Sequence, residues 1–326
     1  MCVHQVLALR SVVIVSTCTV SSDNTRSILM SLQRWGYLLF GLAILLALTA
    51  AQRPDGQLHV FFLETAGDAA LIQTPSGAFI LIDGGSDPVA LVGALGHKLP
   101  FWKRNIDVVI LTAPDHAHLP GLVAAIARYQ IVRAIAPPSR SSGAVPTEWR
   151  RRLAEQRAPL QIVRTGSTFR IDQLQFRVLN MGDGTTSGML LRLDYGNTSV
   201  VFAHNSGPNA EQDLATHGLR PASLVVFPWQ RDPRTDFITA IAPKAIVFTD
   251  GTQADTPAEL TLPERAVGGA RVYHERLNGL IEWISDGRST AIRVERHYCS
   301  PISLAKTGLF SPSQSPSASC SKRDRS

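Results

Sequence analysis

Cysteine is scarce in this chain and absent from its middle. Cys2, Cys18, Cys299 and Cys320 all fall outside residues 52–298, so that stretch has no disulfide framework and no thiolate metal ligand. A cytosolic and an extracytoplasmic address are equally compatible with that. Lysine is scarce too: only five of the 32 basic residues are Lys. No Ser sits in a G-x-S-x-G elbow and no G-x-x-x-x-G-K-[ST] loop occurs, which removes two common nucleophile and phosphate-cradle chemistries. Gly182-Asp183-Gly184 and Gly84-Gly85 read as turn punctuation. With 44% hydrophobic and 18% charged residues among 326, the chain is not disordered as a whole. It is also no collagen, heptad array or polytopic membrane protein.

The formal net charge of +6 would ordinarily point to nucleic acid or an anionic membrane. Its distribution weakens that inference. Residues 1–51 carry +2, residues 52–298 only +1, and residues 299–326 carry +3. Within the middle, one segment stands out. Between Arg128 and Arg164 lie eight Arg against Glu148 and Glu155. Arg150, Arg151 and Arg152, near the end of an expected helix, are the candidate contacts for the phosphates of a polyanion such as DNA. The plainer reading is a solvated helix face, because Tyr129 and Trp149 are the segment's only aromatic platforms.

The two ends differ in kind from the middle. Residues 35–51, WGYLLFGLAILLALTAA, hold no charge and as a helix would span roughly 25 Å, the lower limit for a bilayer. Arg34 precedes them, with Trp35 and Tyr37 at the expected interface, so the N-terminal side should be cytoplasmic. Residues 30–51 are therefore expected to be an anchor in the cytoplasmic membrane with the domain outside. A signal peptide cleaved after the small residues Thr49-Ala50-Ala51, or a buried core helix, are the alternatives. Residues 1–29 read as untranslated or disordered, with Met30 placed as a genuine start would be. Residues 299–326, with nine Ser and three Pro, read as a disordered low-complexity tail.

Residues 52–298 alternate short β-branched runs with turn signals. Strands are expected at His59–Leu63, Ala70–Thr74, Phe79–Ile82, Asp107–Thr112, Gln175–Leu179, Met189–Leu193, Ser199–Ala203, Ser223–Phe227, Ala245–Phe248, Leu280–Ile284 and Thr290–Val294. Pro75-Ser76-Gly77 marks a hairpin turn. Helices are expected at Val89–His97, Leu119–Arg128, Thr147–Glu155, Ala210–His217 and Asp236–Ile241. This alternation predicts one mixed α/β domain with two packed sheets.

Three segments carry a resemblance: LHVFFLETAGDAALIQTPSGAFILIDGG at 58–85, IDVVILTAPDHAHLPG at 106–121, and SGMLLRLDYGNTSVVFAHN at 187–205. They resemble the metallo-β-lactamase-like domain of ComEC-type DNA-internalisation proteins. There the first segment runs FLDVGQGDA…LIxTPxG…LIDGG and the second LTHPDADHIGGL. The resemblance implies a four-layer αββα sandwich with its site at one edge of the two sheets, and metal-dependent hydrolysis of DNA phosphodiesters outside the cytoplasmic membrane.

The metal motifs depart from that pattern. The family's His-Pro-Asp-Ala-Asp-His loop reads Ala113-Pro114-Asp115-His116-Ala117-His118, so only Asp115 and His118 keep their type. The turn that normally supplies a bridging Asp reads Ala203-His204-Asn205, and the later His pair aligns with Trp229-Gln230-Arg231-Asp232. The opening loop, Thr65-Ala66-Gly67-Asp68, is one residue shorter than the family's and lacks its Gln. Losses on this scale should leave no ordinary dinuclear site. Asp83 is then expected to hold its neighbouring loop through backbone N–H bonds, and Asp115 and His118 to cap the helix that follows. A rebuilt mononuclear site would draw on His116, His118 and His204 with Asp83 or Asp115, holding Zn or Mn. The resulting expectation is a membrane-tethered, non-catalytic domain that binds or assembles with an envelope or DNA-uptake partner. A hydrolase with a reduced site, or a DNA-binding module, are the alternatives.

Overall fold

The computed structural model describes residues 37–41, 54–139, 141–182, 188–249, 262–265 and 267–297. Residues 1–53 form a separate unit, of which 37–41 are helical. No helix among the described residues is long and apolar enough to cross a membrane. Most of the expected span at 35–51, and the whole of 1–29 and 299–326, lie outside the described residues.

From Pro54 onward the chain first lays down β1 (Leu58–Phe62), β2 (Ala70–Gln73) and β3 (Phe79–Ile82) as an antiparallel meander. The expected hairpin turn is present: Thr74 N–H donates to the Ala78 carbonyl, and Gly77 takes the positive φ of 90° the turn requires. Helix α1 (Pro88–Lys98) starts with Asp87 accepting from the N–H groups of Val89 and Ala90, which satisfies donors the helix cannot. Crossover units follow: β4 (Asn105–Ile110), α2 (Pro120–Arg128), β5 (Gln130–Ala136), α3 (Ala144–Glu155) and β6 (Leu160–Ile162), with β3 to β6 parallel.

The second half repeats the plan. It runs β7 (Thr168–Ile171), β8 (Leu174–Asn180), β9 (Leu190–Tyr195), β10 (Thr198–Phe202), α4 (Pro208–His217), β11 (Leu224–Pro228), α5 (Thr235–Ile241), β12 (Ala245–Thr249), β13 (Arg271–His274) and α6 (Glu275–Asn278). The chain then returns to the first sheet with β14 (Ile281–Ser285) and β15 (Thr290–Val294). The sheet orders are β15-β14-β1-β2-β3-β4-β5-β6 and β13-β12-β11-β10-β9-β8-β7.

Burial shows why the strands read as apolar runs. In β1, Leu58, Val60 and Phe62 face the other sheet while Phe61 faces the helices, and all are buried. In β10, Val200 and Phe202 face inward and Val201 faces α4 and α5. Strands covered on both faces cannot alternate with polar residues. One core therefore lies between the sheets and one under each helical layer. This is the expected four-layer αββα sandwich.

The sequence reading passed over β5, β6, β7 and β13. β5 follows α2 with no turn residue between, and carries Arg133 in its middle. β6 and β7 are short and partly exposed, and β13 runs directly into α6.

Candidate functional site

The loops after β1, β3, β4 and β10 meet at one edge of the sandwich with the end of β12, past the C-terminal ends of the parallel strands. Two glycines let them meet closely. A Cβ on Gly121 would lie 1.8 Å from the Gly84 carbonyl oxygen, and one on Gly84 would lie 2.2 Å from the Leu122 nitrogen. No side chain fits where the loop after β3 touches the start of α2. Gly84 N–H donates to the His118 carbonyl at 2.8 Å, and Gly85 N–H to that of Asp68 at 3.0 Å. The backbone thus holds Asp68, Asp83 and His118 beside one another.

Asp83, fully buried with φ 56°, accepts from the Thr112 N–H at 2.7 Å and the Thr112 hydroxyl at 2.5 Å. That is the loop-holding role expected of it. It also faces His204 Nε2 at 3.0 Å across the two sheets. The other ring nitrogen, Nδ1, is buried and has no hydrogen-bond partner among the described residues. Asn205 Nδ2 donates to Thr112 Oγ1 at 2.8 Å and lies 3.0 Å from His118 Nε2.

His118 is clasped from both sides. Its Nε2 meets Asp68 Oδ2 at 3.0 Å and its Nδ1 meets the Asp115 carboxylate. The other Asp68 oxygen accepts from the Thr249 hydroxyl. Burial acts to lower the His118 pKa, but hydrogen bonds to Asp115 and Asp68, with Asp83 nearby, outweigh it and hold it well above the ordinary imidazole value. Asp68 is the counterpart. Burial acts to raise its pKa, yet His204 and His118 bring it down to about 2. The pair is an imidazolium and a carboxylate sealed from water, with the His118 and His204 rings stacked at 5.5 Å.

One ligand atom from each of Asp68, His118 and His204 lies within 4.8 Å of the others. Two donors on a tetrahedral zinc stand about 3.3 Å apart when each bond is about 2.0 Å. Each of the three also has a second contact that orients it: Thr249 on Asp68, Asp115 on His118, and Asp83 on His204. Such backing is what metal-binding side chains usually have. These three are the residues that could hold one divalent ion.

Of the residues singled out from sequence, the structure brings Asp83, Asp115, His118 and His204 together. His116 is not among them; it is exposed on the outer side of the loop. Asp115 and His118 do not cap α2. That helix starts at Pro120, its N-cap position is Leu119 with no side-chain cap hydrogen bond, and Asp115 accepts from the Ala117 N–H instead. Trp229 lies under the second helical layer, edge-on to His274 at 4.5 Å and covered by Arg265. Arg231, two residues on, bonds the Ser206 carbonyl and the buried Glu211, bracing the turn that carries His204. Sequence reasoning missed Asp68, which stood in the opening loop but was read only as part of a departure from the family pattern. Arg151 and Arg152 are tied to Glu148, and Arg151 also to Glu155, while Arg150 donates to the Ser141 carbonyl at 2.8 Å. The α3 face thus neutralises much of its own charge.

No protein-family model and no curated protein sequence matches the chain. Solved structures do. The metallo-β-lactamase fold protein YhfI from Bacillus subtilis matches with TM-score 0.54 and 14% identity, over 70% of this chain and all of that one. The diiron β-hydroxylase CmlA from Streptomyces venezuelae gives 0.49 and 14%, over 74% of this chain and 54% of CmlA. Zn(2+)-bound PqqB from Methylobacterium extorquens gives 0.44 and 13%, over 64% and 85%. At such identities the likeness concerns architecture, and it is carried by YhfI: the chain has the metallo-β-lactamase fold.

Proposed function

We propose that this chain is a non-catalytic relative of the metallo-β-lactamase-fold hydrolases, similar to the ComEC-type domain, that acts by binding or assembly. In this reading residues 35–51 tether it to the cytoplasmic membrane, and the domain stands outside the cytoplasm beside an envelope or DNA-uptake partner. The observation that carries the reading is the double clasp on His118. Asp68 and Asp115 bind the imidazolium on its two nitrogens, so an internal cation offsets part of the carboxylate charge at the edge where a hydrolase needs metal. Ala113, Ala117 and Asn205 at three expected ligand positions agree with it.

Metal content of the purified full-length protein, with hydrolysis of a generic phosphodiester and of single-stranded DNA, tests this. Far less than one equivalent of metal and no turnover is the expected result. Near-stoichiometric Zn or Mn with turnover abolished by His118→Ala would overturn it.

The unpartnered Nδ1 of His204 favours a second reading, a hydrolase with one metal ion. Asp68, His118 and His204 would hold the ion, which would polarise a phosphoryl oxygen and acidify a bound water. Asp115 and Asp83 would then orient the two imidazoles rather than neutralise them. In the metal-content measurement this reading requires one equivalent, lost in Asp68→Ala.

A further inference from the structure

At the opposite end of the sandwich, three cations face one cleft and none has a partner among the described residues. Lys244 immediately precedes β12, Arg271 opens β13, and Arg288 sits in the turn between β14 and β15. All three are exposed, and none makes a side-chain hydrogen bond or ion pair among the described residues. They line a cleft of about 490 Å3 between the open edges of the two sheets, and no carboxylate among the described residues lines it. This differs from α3, where Glu148 and Glu155 answer the arginines.

The backbone fixes this arrangement. The parallel register of β12 and β13 sets Arg271 N–H on the Lys244 carbonyl at 3.0 Å. The turn after β14 is held by Asp286, whose carboxylate accepts from the N–H groups of Arg288 and Ser289, both at 2.7 Å, and from the Ser289 hydroxyl at 2.8 Å. Those hydrogen bonds pull the Asp286 pKa down to about 2. The one acid in the turn is therefore spent on backbone donors while Arg288 remains available.

We infer that this cleft binds a phosphorylated organic molecule of nucleotide size, carrying two or more negative charges. Like charges held together without counter-charge repel, and a phosphate group relieves that with charge-assisted hydrogen bonds. The volume falls within the usual range for small-molecule sites and exceeds what a bare diphosphate fills. The remaining wall suits an organic body: the half-buried Tyr273 and Ile292, with Ser289 and Thr290 beside them. The inference stands apart from the reading of the metal edge. About 15 Å of strand separates the two.

Calorimetric titration of the full chain with ADP, pyrophosphate, adenosine and a 5′-phosphorylated single-stranded oligonucleotide tests it. ADP should bind more tightly than pyrophosphate, adenosine should not bind, and added salt should weaken the complex. Lys244→Gln or Arg271→Gln should each weaken ADP binding roughly tenfold, and the triple variant with Arg288→Gln should abolish it, with the thermal midpoint unchanged. Arg151→Gln should leave binding as it was. Oligonucleotide binding that is tighter than ADP and lost in the triple variant would support the site with a strand end as its source. No binding of ADP or the oligonucleotide at millimolar concentration, or binding undiminished in the triple variant, would overturn the inference.

Discussion

Strand β13 joins two regions that handle charge in opposite ways. At its start Arg271 stands in water with two more unpaired cations; at its end His274 is fully buried against Trp229. The same contrast runs across the sandwich. Past the C-terminal ends of the strands, Asp68, Asp83, His118 and His204 are all buried and paired with one another. Past the N-terminal ends, Lys244, Arg271 and Arg288 are exposed and unanswered. The loops after β1, β3, β4 and β10 supply the first edge with mutual counter-charges, whereas the second edge carries only cations among the described lining residues. Resemblance to a family directs attention to the first edge. Free ligand-binding capacity lies at the second.

The largest expected effect comes from unpairing the closed edge. His118→Ala leaves the buried Asp68 carboxylate without its cation and should cost about 3–5 kcal/mol in a urea unfolding titration. A loss under about 1 kcal/mol would mean that the edge is not closed by that pair. Acid should come next. Burial, together with Arg276 and Arg265, lowers the His274 pKa from 6.5 to about 4. Between those values the unfolded chain binds a proton that the folded chain refuses. The stability is thus complete above the ordinary histidine value and is lost as pH falls from there toward 4, on the order of 3 kcal/mol. His274→Phe should flatten that part of the pH profile, and an unaltered slope would count against a neutral buried ring. At the open edge, the Lys244→Gln, Arg271→Gln, Arg288→Gln triple should change stability by no more than about 0.5 kcal/mol. A larger loss would show that these cations also support the fold. The smallest effect belongs to α3. Arg151→Gln removes exposed pairs to Glu148 and Glu155 and should shift the urea midpoint barely measurably, and less still at high salt.

Much of the architecture was legible because buried strands announce themselves. FILI at 79–82 and TAIRV at 290–294 are strands with the expected limits, and LIDGG correctly placed an acid at a loop crossing. The site was harder to read, since its members are brought together by topology. Asp68 and Thr249 are bonded across 181 residues and Asp83 and His204 across 121; no local spacing encodes such pairs. His116 and His118 stood together among the candidate ligands, yet the turn before α2 exposes one and buries the other. The Arg-rich segment misled in another way: counting charge over a window cannot show that Glu148 answers two arginines at once.

The span of those bonds has a consequence for how the molecule is made. The β2–β3 hairpin and the crossover units that follow it can form from neighbouring segments, but the Asp83–His204 bond requires both halves to be built and docked. Closing so long a loop is entropically costly until other contacts hold the ends together. The polar centre should therefore be assembled late, after the folding barrier. Substitutions there should hasten unfolding far more than they slow folding, so this centre sets the lifetime of the folded state.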